Sequence, residues 1–185
     1  MDLLKFILYI LSRIGLMILV IVFGAFMGGI FFPALMSFLP YSLIDFKNFI
    51  LDSNTQSVIC LIISAAFLMR LFYADGKKHA AYEDWSAVNI TIVYLLMAFA
   101  YFIPAIFRSS FAAEGKAELF YKVLYYPCAW LYEGLNMDFL VSVLCTSGIL
   151  ILLSLAMYVT AYLVYVKKHP AILNPKYAKE NDDRN

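Results

Sequence analysis

Charged residues are scarce in this chain, and long stretches contain none. Asp, Glu, Lys and Arg make up 15% of the 185 residues, whereas they form roughly a quarter of an average soluble domain. Four stretches carry no charge: residues 14–44, 53–69, 85–107 and 139–166. Hydrophobic residues supply 64% of the sequence. This composition excludes a single water-soluble core and predicts an integral membrane protein.

Residues that bind metals and cofactors are also few. The chain has 2 His and 3 Cys, with no CxxC pair and no zinc-ligand spacing. Haem would need axial ligands within the helices. His79, Glu83 and Asp84 could form a weak metal site, but we favour a solvated turn in which Asp84 caps the third helix. We therefore expect no cofactor, no metal and no nucleic-acid partner.

Catalytic groups cannot be assembled from the sequence. No ionisable residue lies in the middle of an uncharged stretch, where such groups usually mark an ion path or proton relay. The sequence positions of Ser, His and acidic residues do not indicate a catalytic set. A membrane enzyme would have to use loop residues, namely Glu114, Glu118, His79 or Glu83. We therefore expect a protein that is not an enzyme.

The uncharged stretches predict four transmembrane helices. About 20 apolar residues span the hydrocarbon core of a bilayer, and the predicted spans are residues 14–36, 54–73, 85–107 and 139–166. Ser53 and Gln56 form a capping-box pattern at the start of the second. The alternative is a re-entrant second segment, which leaves three spans.

Residues 1–173 are expected to form one transmembrane helical domain, and residues 174–185 a charged cytoplasmic tail. The first dozen residues are amphipathic, which favours a segment lying along the membrane surface. A cleaved signal peptide is the alternative, but the apolar run continues far beyond any cleavage site.

The stretch "GAFMGG" could suggest a phosphate-binding loop. Such a loop is polar and is followed by Lys and Ser or Thr, whereas Ile30 and Phe31 follow here. Small residues four apart instead allow two membrane helices to approach closely. The predicted helix-packing residues are Gly24, Ala25, Gly28 and Gly29, together with Ser147, Ser154 and Ala161 on the fourth span. Their partner is either another helix of this chain or another subunit.

Basic residues predict the threading, because Lys and Arg accumulate on the cytoplasmic side. The N-terminal flank, the second connection and the tail hold ten of them, whereas the first and third connections hold four. We therefore expect both termini in the cytoplasm, and a bacterial cytoplasmic (inner) membrane as the compartment.

The third connection is rich in aromatic residues, which favour the headgroup level of a bilayer. It is expected to form an amphipathic helix on the outer surface, or alternatively a docking surface for a partner or a lipid-linked substrate. The aromatic residues of this surface are Phe120, Tyr121, Tyr125, Tyr126, Trp130 and Tyr132. Asn136 is expected to cap the fourth helix, and Cys128 to be the one thiol that meets water, with Cys60 and Cys145 buried.

The sequence thus predicts an all-α integral membrane protein with four spans and an interfacial helix between the third and fourth. The favoured function is a non-catalytic membrane subunit, or an accessory or assembly component, of a larger complex such as secretion, envelope or transport machinery. Its partners would be the lipid bilayer and other membrane subunits or copies of itself. The alternative is a small homo-oligomeric transporter, channel or lipid-handling protein with an uncharged path.

Overall fold

The computed structural model describes residues 3–81, 87–108 and 116–169, which are almost entirely helical and contain no strand. In chain order the helices are α1 (Leu3–Phe26), α2 (Phe32–Met36), α3 (Ile44–Leu51), α4 (Ser53–Ala81), α5 (Ala87–Ile106), α6 (Lys116–Leu124) and α7 (Phe139–Lys168). Four segments are long and apolar enough to cross a membrane: Leu3–Met36, Ser53–Ala81, Val88–Ile106 and Phe139–Lys168. The predicted all-α class and the four candidate spans are confirmed.

The first span begins earlier than predicted. α1 is continuous from Leu3, so the separate surface segment expected for the first dozen residues is not formed. A π-helical turn, Met27–Phe31, connects α1 to α2. Pro33 lies in the first turn of α2, where its missing N–H is tolerated. The helix therefore passes through the glycine-rich stretch and the proline without ending.

The second span ends later than predicted. α4 continues to Ala81, two turns beyond the expected end at Tyr73. Its start is capped by Asp52, whose Oδ2 accepts a hydrogen bond from the Thr55 backbone N–H at 3.0 Å, rather than by the expected Ser53 and Gln56 pair. The added turns place Asp75 and His79 on a helix that contacts its neighbours.

α4 is the central helix of the bundle. It packs most extensively against α7 and also against α1, while α5 packs against α1 and α7. The largest fully buried side chains are aromatic: Phe72, Tyr101, Tyr125 and Tyr158. Buried phenols need hydrogen-bond partners, so the interior of this bundle is apolar but contains specific polar contacts.

The segment between α5 and α7 folds back into the bundle. Tyr121, Leu124, Tyr125, Cys128 and Leu131 are all buried. The Tyr125 hydroxyl donates to the Tyr101 carbonyl at 2.7 Å, and the Tyr121 hydroxyl to the Pro104 carbonyl at 2.9 Å. These bonds attach the segment to the C-terminal half of α5.

α7 is capped by Asp138, not by Asn136 as expected. The Asp138 carboxylate accepts the backbone N–H groups of Leu140 and Val141. Asn136 instead adopts a positive φ of 53°, a conformation that Asn tolerates better than most residues. It therefore forms the turn that precedes the cap. The charged tail, residues 174–185, lies outside the described residues.

Candidate functional site

Five polar side chains meet at one end of the bundle, where α1 begins and where α4 and α7 approach their ends. We call this group the polar cluster: Tyr9, Arg13, Asp75, His79 and Tyr158. Asp75 lies about 33 Å along α4 at 1.5 Å per residue. That length is close to the thickness of a hydrocarbon core, and the cluster forms one layer near the C-terminal end of α4.

An ion pair connects the first two spans. An Arg13 Nη2 atom lies 2.6 Å from Asp75 Oδ1, and the two side chains are only 15% and 6% exposed. The Tyr9 hydroxyl donates to the other carboxylate oxygen, Oδ2, at 2.9 Å. The Arg13 guanidinium also lies over the Tyr9 ring, 4.7 Å from its centroid. Both oxygens of the carboxylate are therefore engaged by α1.

A second contact connects α4 to α7. His79 Nδ1 and the Tyr158 hydroxyl are 2.8 Å apart, and the His79 ring also packs on the Tyr9 ring with centroids 5.4 Å apart. Gly76 makes this approach possible, because a Cβ there would collide with the Tyr158 carbonyl oxygen and would lie 3.1 Å from Ala161 Cβ. The polar cluster thus joins three spans through side chains that are four residues apart on α1 and on α4.

Tyr94 of α5 brings a further phenol to the polar cluster. Its side chain is buried, and its hydroxyl makes no hydrogen bond to the residues that the structure describes. The hydroxyl lies within electrostatic range of Tyr9, Asp75 and Tyr158. A carboxylate, an imidazole and three phenols are therefore gathered at one end of the bundle, where Asp75, Tyr94 and Tyr158 are buried and Tyr9 and His79 are half-buried.

Sequence reasoning missed this site. It placed the residues after Tyr73 in a solvated connection, and it treated the N-terminal residues as a surface segment. The available signal was spacing: Tyr9 and Arg13 are four apart, as are Asp75 and His79, so each pair shares a helical face. Glu83 and Asp84, the other members of the weak metal site considered with His79, lie outside the described residues. Among the residues described, no three His, Cys, Asp or Glu side chains group as metal ligands.

Two of the predicted glycines, Gly24 of α1 and Gly28 of the π-helical turn after it, lie against α4. A Cβ on Gly24 would collide with Ser64 Oγ and lie 3.0 Å from the Cys60 carbonyl oxygen, and one on Gly28 would lie 2.7 Å from the Gln56 carbonyl oxygen. Ala25 is buried, and Gly29 faces the Tyr126 ring. The close approach of α1 is therefore made to another helix of the same chain.

The small residues predicted on α7 are buried, but the serine hydroxyls among them donate hydrogen bonds within the same helix. Ser147, Ser154 and Ala161 are each at most 5% exposed. The Ser147 and Ser154 hydroxyls donate to carbonyls of α7 itself, those of Leu144 and Leu150. They contribute small volume at the helix contacts rather than the interhelical hydrogen bonds expected of such residues.

The predicted aromatic surface is divided by the structure. Tyr121 and Tyr125 lie in the interior, Phe120 is exposed, and Tyr126, Trp130 and Tyr132 are half-buried. Tyr126 donates its hydroxyl to Gln56 Oε1 at 2.8 Å. Because half of these rings are committed to α4 and α5, the outer surface expected from the sequence is smaller than predicted.

The backbone of the same segment is attached to α4 through Ser57. The Ser57 hydroxyl donates to the Tyr126 carbonyl at 2.7 Å and accepts the Trp130 N–H at 3.0 Å. Ser57 is fully buried, and it satisfies two backbone groups that would otherwise lie unpaired in the interior.

Cys60 is buried as predicted, but the other two thiols are placed differently from the prediction. Cys128 is fully buried, whereas Cys145 is exposed on the outer face of α7. Burial raises the pKa of the Cys128 thiol, while its contact with the Tyr101 hydroxyl, 3.4 Å from Sγ, acts in the opposite direction. The expectation that Cys128 is the water-accessible thiol was wrong, because the segment that carries it packs inside the bundle.

Comparison with known proteins found no matching family model, no matching curated protein and no matching solved structure.

Proposed function

We propose that this protein is a non-catalytic integral membrane subunit, or an accessory or assembly component, of a larger membrane complex. The observation that carries the proposal is the state of Asp75, whose two carboxylate oxygens are engaged by Tyr9 and Arg13. A carboxylate committed in this way joins helices rather than binding a transported ion. The polar cluster then serves to fix α1, α4 and α7 as one rigid unit.

The arrangement of α1 supports an assembly role. It is the least buried of the four candidate spans. Its outward face carries Leu19, which is 62% exposed. A rigid bundle with one peripheral span can place that span against another membrane protein, because association in lipid depends on packing rather than on expulsion of water.

The proposed location is a bacterial cytoplasmic membrane with both termini in the cytoplasm. Four spans place the two termini on one side, and the ten-to-four distribution of Lys and Arg favours the cytoplasm for that side. In this orientation the polar cluster lies near the cytoplasmic face, and α3 and α6 lie near the outer face.

Purification in mild detergent, followed by mass spectrometry of co-purifying proteins, tests this proposal. We expect a foreign membrane protein in stoichiometric amount. Leu19→Trp should reduce its recovery, whereas Leu152→Trp, at a position on α7 that is 66% exposed, serves as the matched control. A homogeneous homo-oligomer that neither substitution changes would contradict the proposal.

A small transporter, working as a homo-oligomer, is the second candidate function. It is favoured by the Tyr94 hydroxyl, which is buried without a hydrogen bond beside the polar cluster. Buried polar groups of this kind normally have a partner, and a transported proton or polar solute would supply one. Solute or proton flux into vesicles that contain the purified protein alone, abolished by Asp75→Asn, would support this candidate over the first.

A further inference from the structure

A groove of about 370 Å³ lies beside the C-terminal end of α1. The polar cluster involves the other end of the same helix, at Tyr9 and Arg13. One wall is formed by Val22 and Phe26 of α1 and Ile30 of the π-helical turn that follows, and the other by Val123 and Tyr126. The Val22, Phe26 and Ile30 side chains are 42%, 49% and 60% exposed. The groove is therefore apolar and opens sideways, toward the region that the membrane occupies around a spanning helix.

A smaller cavity of about 160 Å³ adjoins this groove, because Lys122 lines both. It is lined by charged and aromatic side chains, including Arg108, Glu118 and Phe139. Two cations and one carboxylate give this cavity a net positive charge. An apolar groove and a compact cationic cavity thus share the Lys122 side chain.

Arg108 is held in a way that leaves its donors available. Its guanidinium carbon lies 4.1 Å from the centre of the Phe139 ring and 5.8 Å from that of Tyr132. Stacking on a ring uses the face of the guanidinium, and the N–H groups at its edge can still bind an oxyanion. Such planar N–H groups match phosphate geometry closely.

Lys122 already interacts with a carboxylate, but only at the surface. Its Nζ lies 2.7 Å from Glu118 Oε1, with the two side chains 66% and 53% exposed. The same hydrogen bond holds the pKa of Glu118 below its usual value. A pair this exposed contributes little stability, so the Lys122 ammonium can turn toward a second anion at small cost.

We propose that the groove and the adjoining cavity together bind one anionic phospholipid of the surrounding bilayer. Its phosphate lies between Arg108 and Lys122, and one acyl chain lies along the apolar groove. The charge of the cavity selects an anionic headgroup over a zwitterionic one. The apolar groove selects a lipid over a free phosphate. This site is separate from the polar cluster and does not depend on the function proposed above.

Native mass spectrometry of the full-length protein, released from detergent with added lipid, tests the assignment. Phosphatidylglycerol should be retained in preference to phosphatidylcholine of the same chain length, with one molecule bound tightly. Each basic residue near a membrane surface contributes about fivefold in affinity for an anionic lipid. Arg108→Gln and Lys122→Gln should therefore each weaken phosphatidylglycerol binding by about fivefold. Lys47→Gln, on the connection at the same end of the bundle, is the matched control and should change nothing.

A second pair of variants tests the groove. Gly29 lines it, and a Cβ there would meet the Tyr126 ring at 3.5 Å, an ordinary contact. Gly29→Leu should fill the groove and reduce lipid retention, whereas Gly15→Leu should not, because a Cβ at Gly15 meets nothing within 4 Å. If Gly29→Leu does not fold, the two charge variants decide alone.

Three results would overturn the proposal. The first is equal retention of the two lipids by the unmodified protein. The second is unchanged binding by both charge variants. The third is displacement of the bound lipid by inorganic phosphate at millimolar concentration, which would show a simple anion site without a role for the acyl chain.

Discussion

Breaking the Arg13–Asp75 pair should destabilise the bundle far more than breaking a surface pair. The two side chains are 15% and 6% exposed and their charged atoms are 2.6 Å apart. Removing one member of a buried pair costs about 3 to 5 kcal/mol, because the remaining charge is left in the interior without its partner. For a chain of this size, that loss lowers the melting temperature by roughly 6 to 20 °C.

A double-mutant cycle separates this effect from simple loss of volume. Arg13→Met and Asp75→Leu should each cost about 3 to 5 kcal/mol, whereas the double variant should cost much less than their sum, since it leaves no buried charge. Lys122→Met and Glu118→Leu provide the matched cycle for an exposed pair, whose coupling should be far smaller than that of Arg13 and Asp75.

The assay is equilibrium unfolding of the purified protein in mild detergent, titrated with a denaturing detergent and followed by helical circular dichroism. The energies of the two single variants and of the double variant are compared directly. If the double variant costs the sum of the single variants to within about 0.5 kcal/mol, Arg13 and Asp75 act independently and the reasoning fails.

Three further predictions follow from the packing and the threading. Gly28→Leu and Gly76→Ala should each destabilise the protein by about 1 to 3 kcal/mol through overpacking. Gly15→Leu and Gly148→Ala are the controls and should not destabilise it, because a Cβ at either position meets nothing within 4 Å. Equal effects of all four variants in the same unfolding assay would refute the close helix contacts. Burial raises the pKa of the Cys128 thiol, so its alkylation between about pH 7 and 8.5 should be much slower in the folded protein than in denaturing detergent. Mass spectrometry of a variant with Cys60 and Cys145 replaced by Ser measures the two rates. Equal rates would contradict the burial of Cys128. A reporter enzyme that works only in the cytoplasm should be active after Asn185 and silent at Gly115, and the reverse pattern would invert the proposed threading.

The number of spans could be predicted because each one is visible within its own segment. A stretch such as residues 139–166 has no charge and is long enough to cross a membrane, and α7 follows it closely. The glycine spacing on α1 also indicated a close helix contact. It could not say which helix supplies the other side, because that depends on how separate segments pack.

The polar cluster could not be predicted by the same method. Asp75 fell outside the predicted span because that span was ended at Tyr73, after the roughly 20 residues that cross a hydrocarbon core. Its partner, Arg13, is 62 residues away in the sequence. The interior position of Tyr121 and Tyr125 was missed for a similar reason. Their hydroxyls donate to backbone carbonyls of α5. An aromatic-rich sequence predicts a position at the lipid headgroups, but it does not show that carbonyl acceptors are available inside the bundle.

The distance in sequence between Arg13 and Asp75 also has a consequence during synthesis of the protein. A ribosome adds roughly 5 to 20 residues per second, so the carboxylate emerges roughly 3 to 12 seconds after the guanidinium. During that interval the Arg13 guanidinium has no Asp75 carboxylate to pair with, and water near the end of the span must solvate it instead. The contact that joins the first two spans can therefore form only after most of α4 has been made.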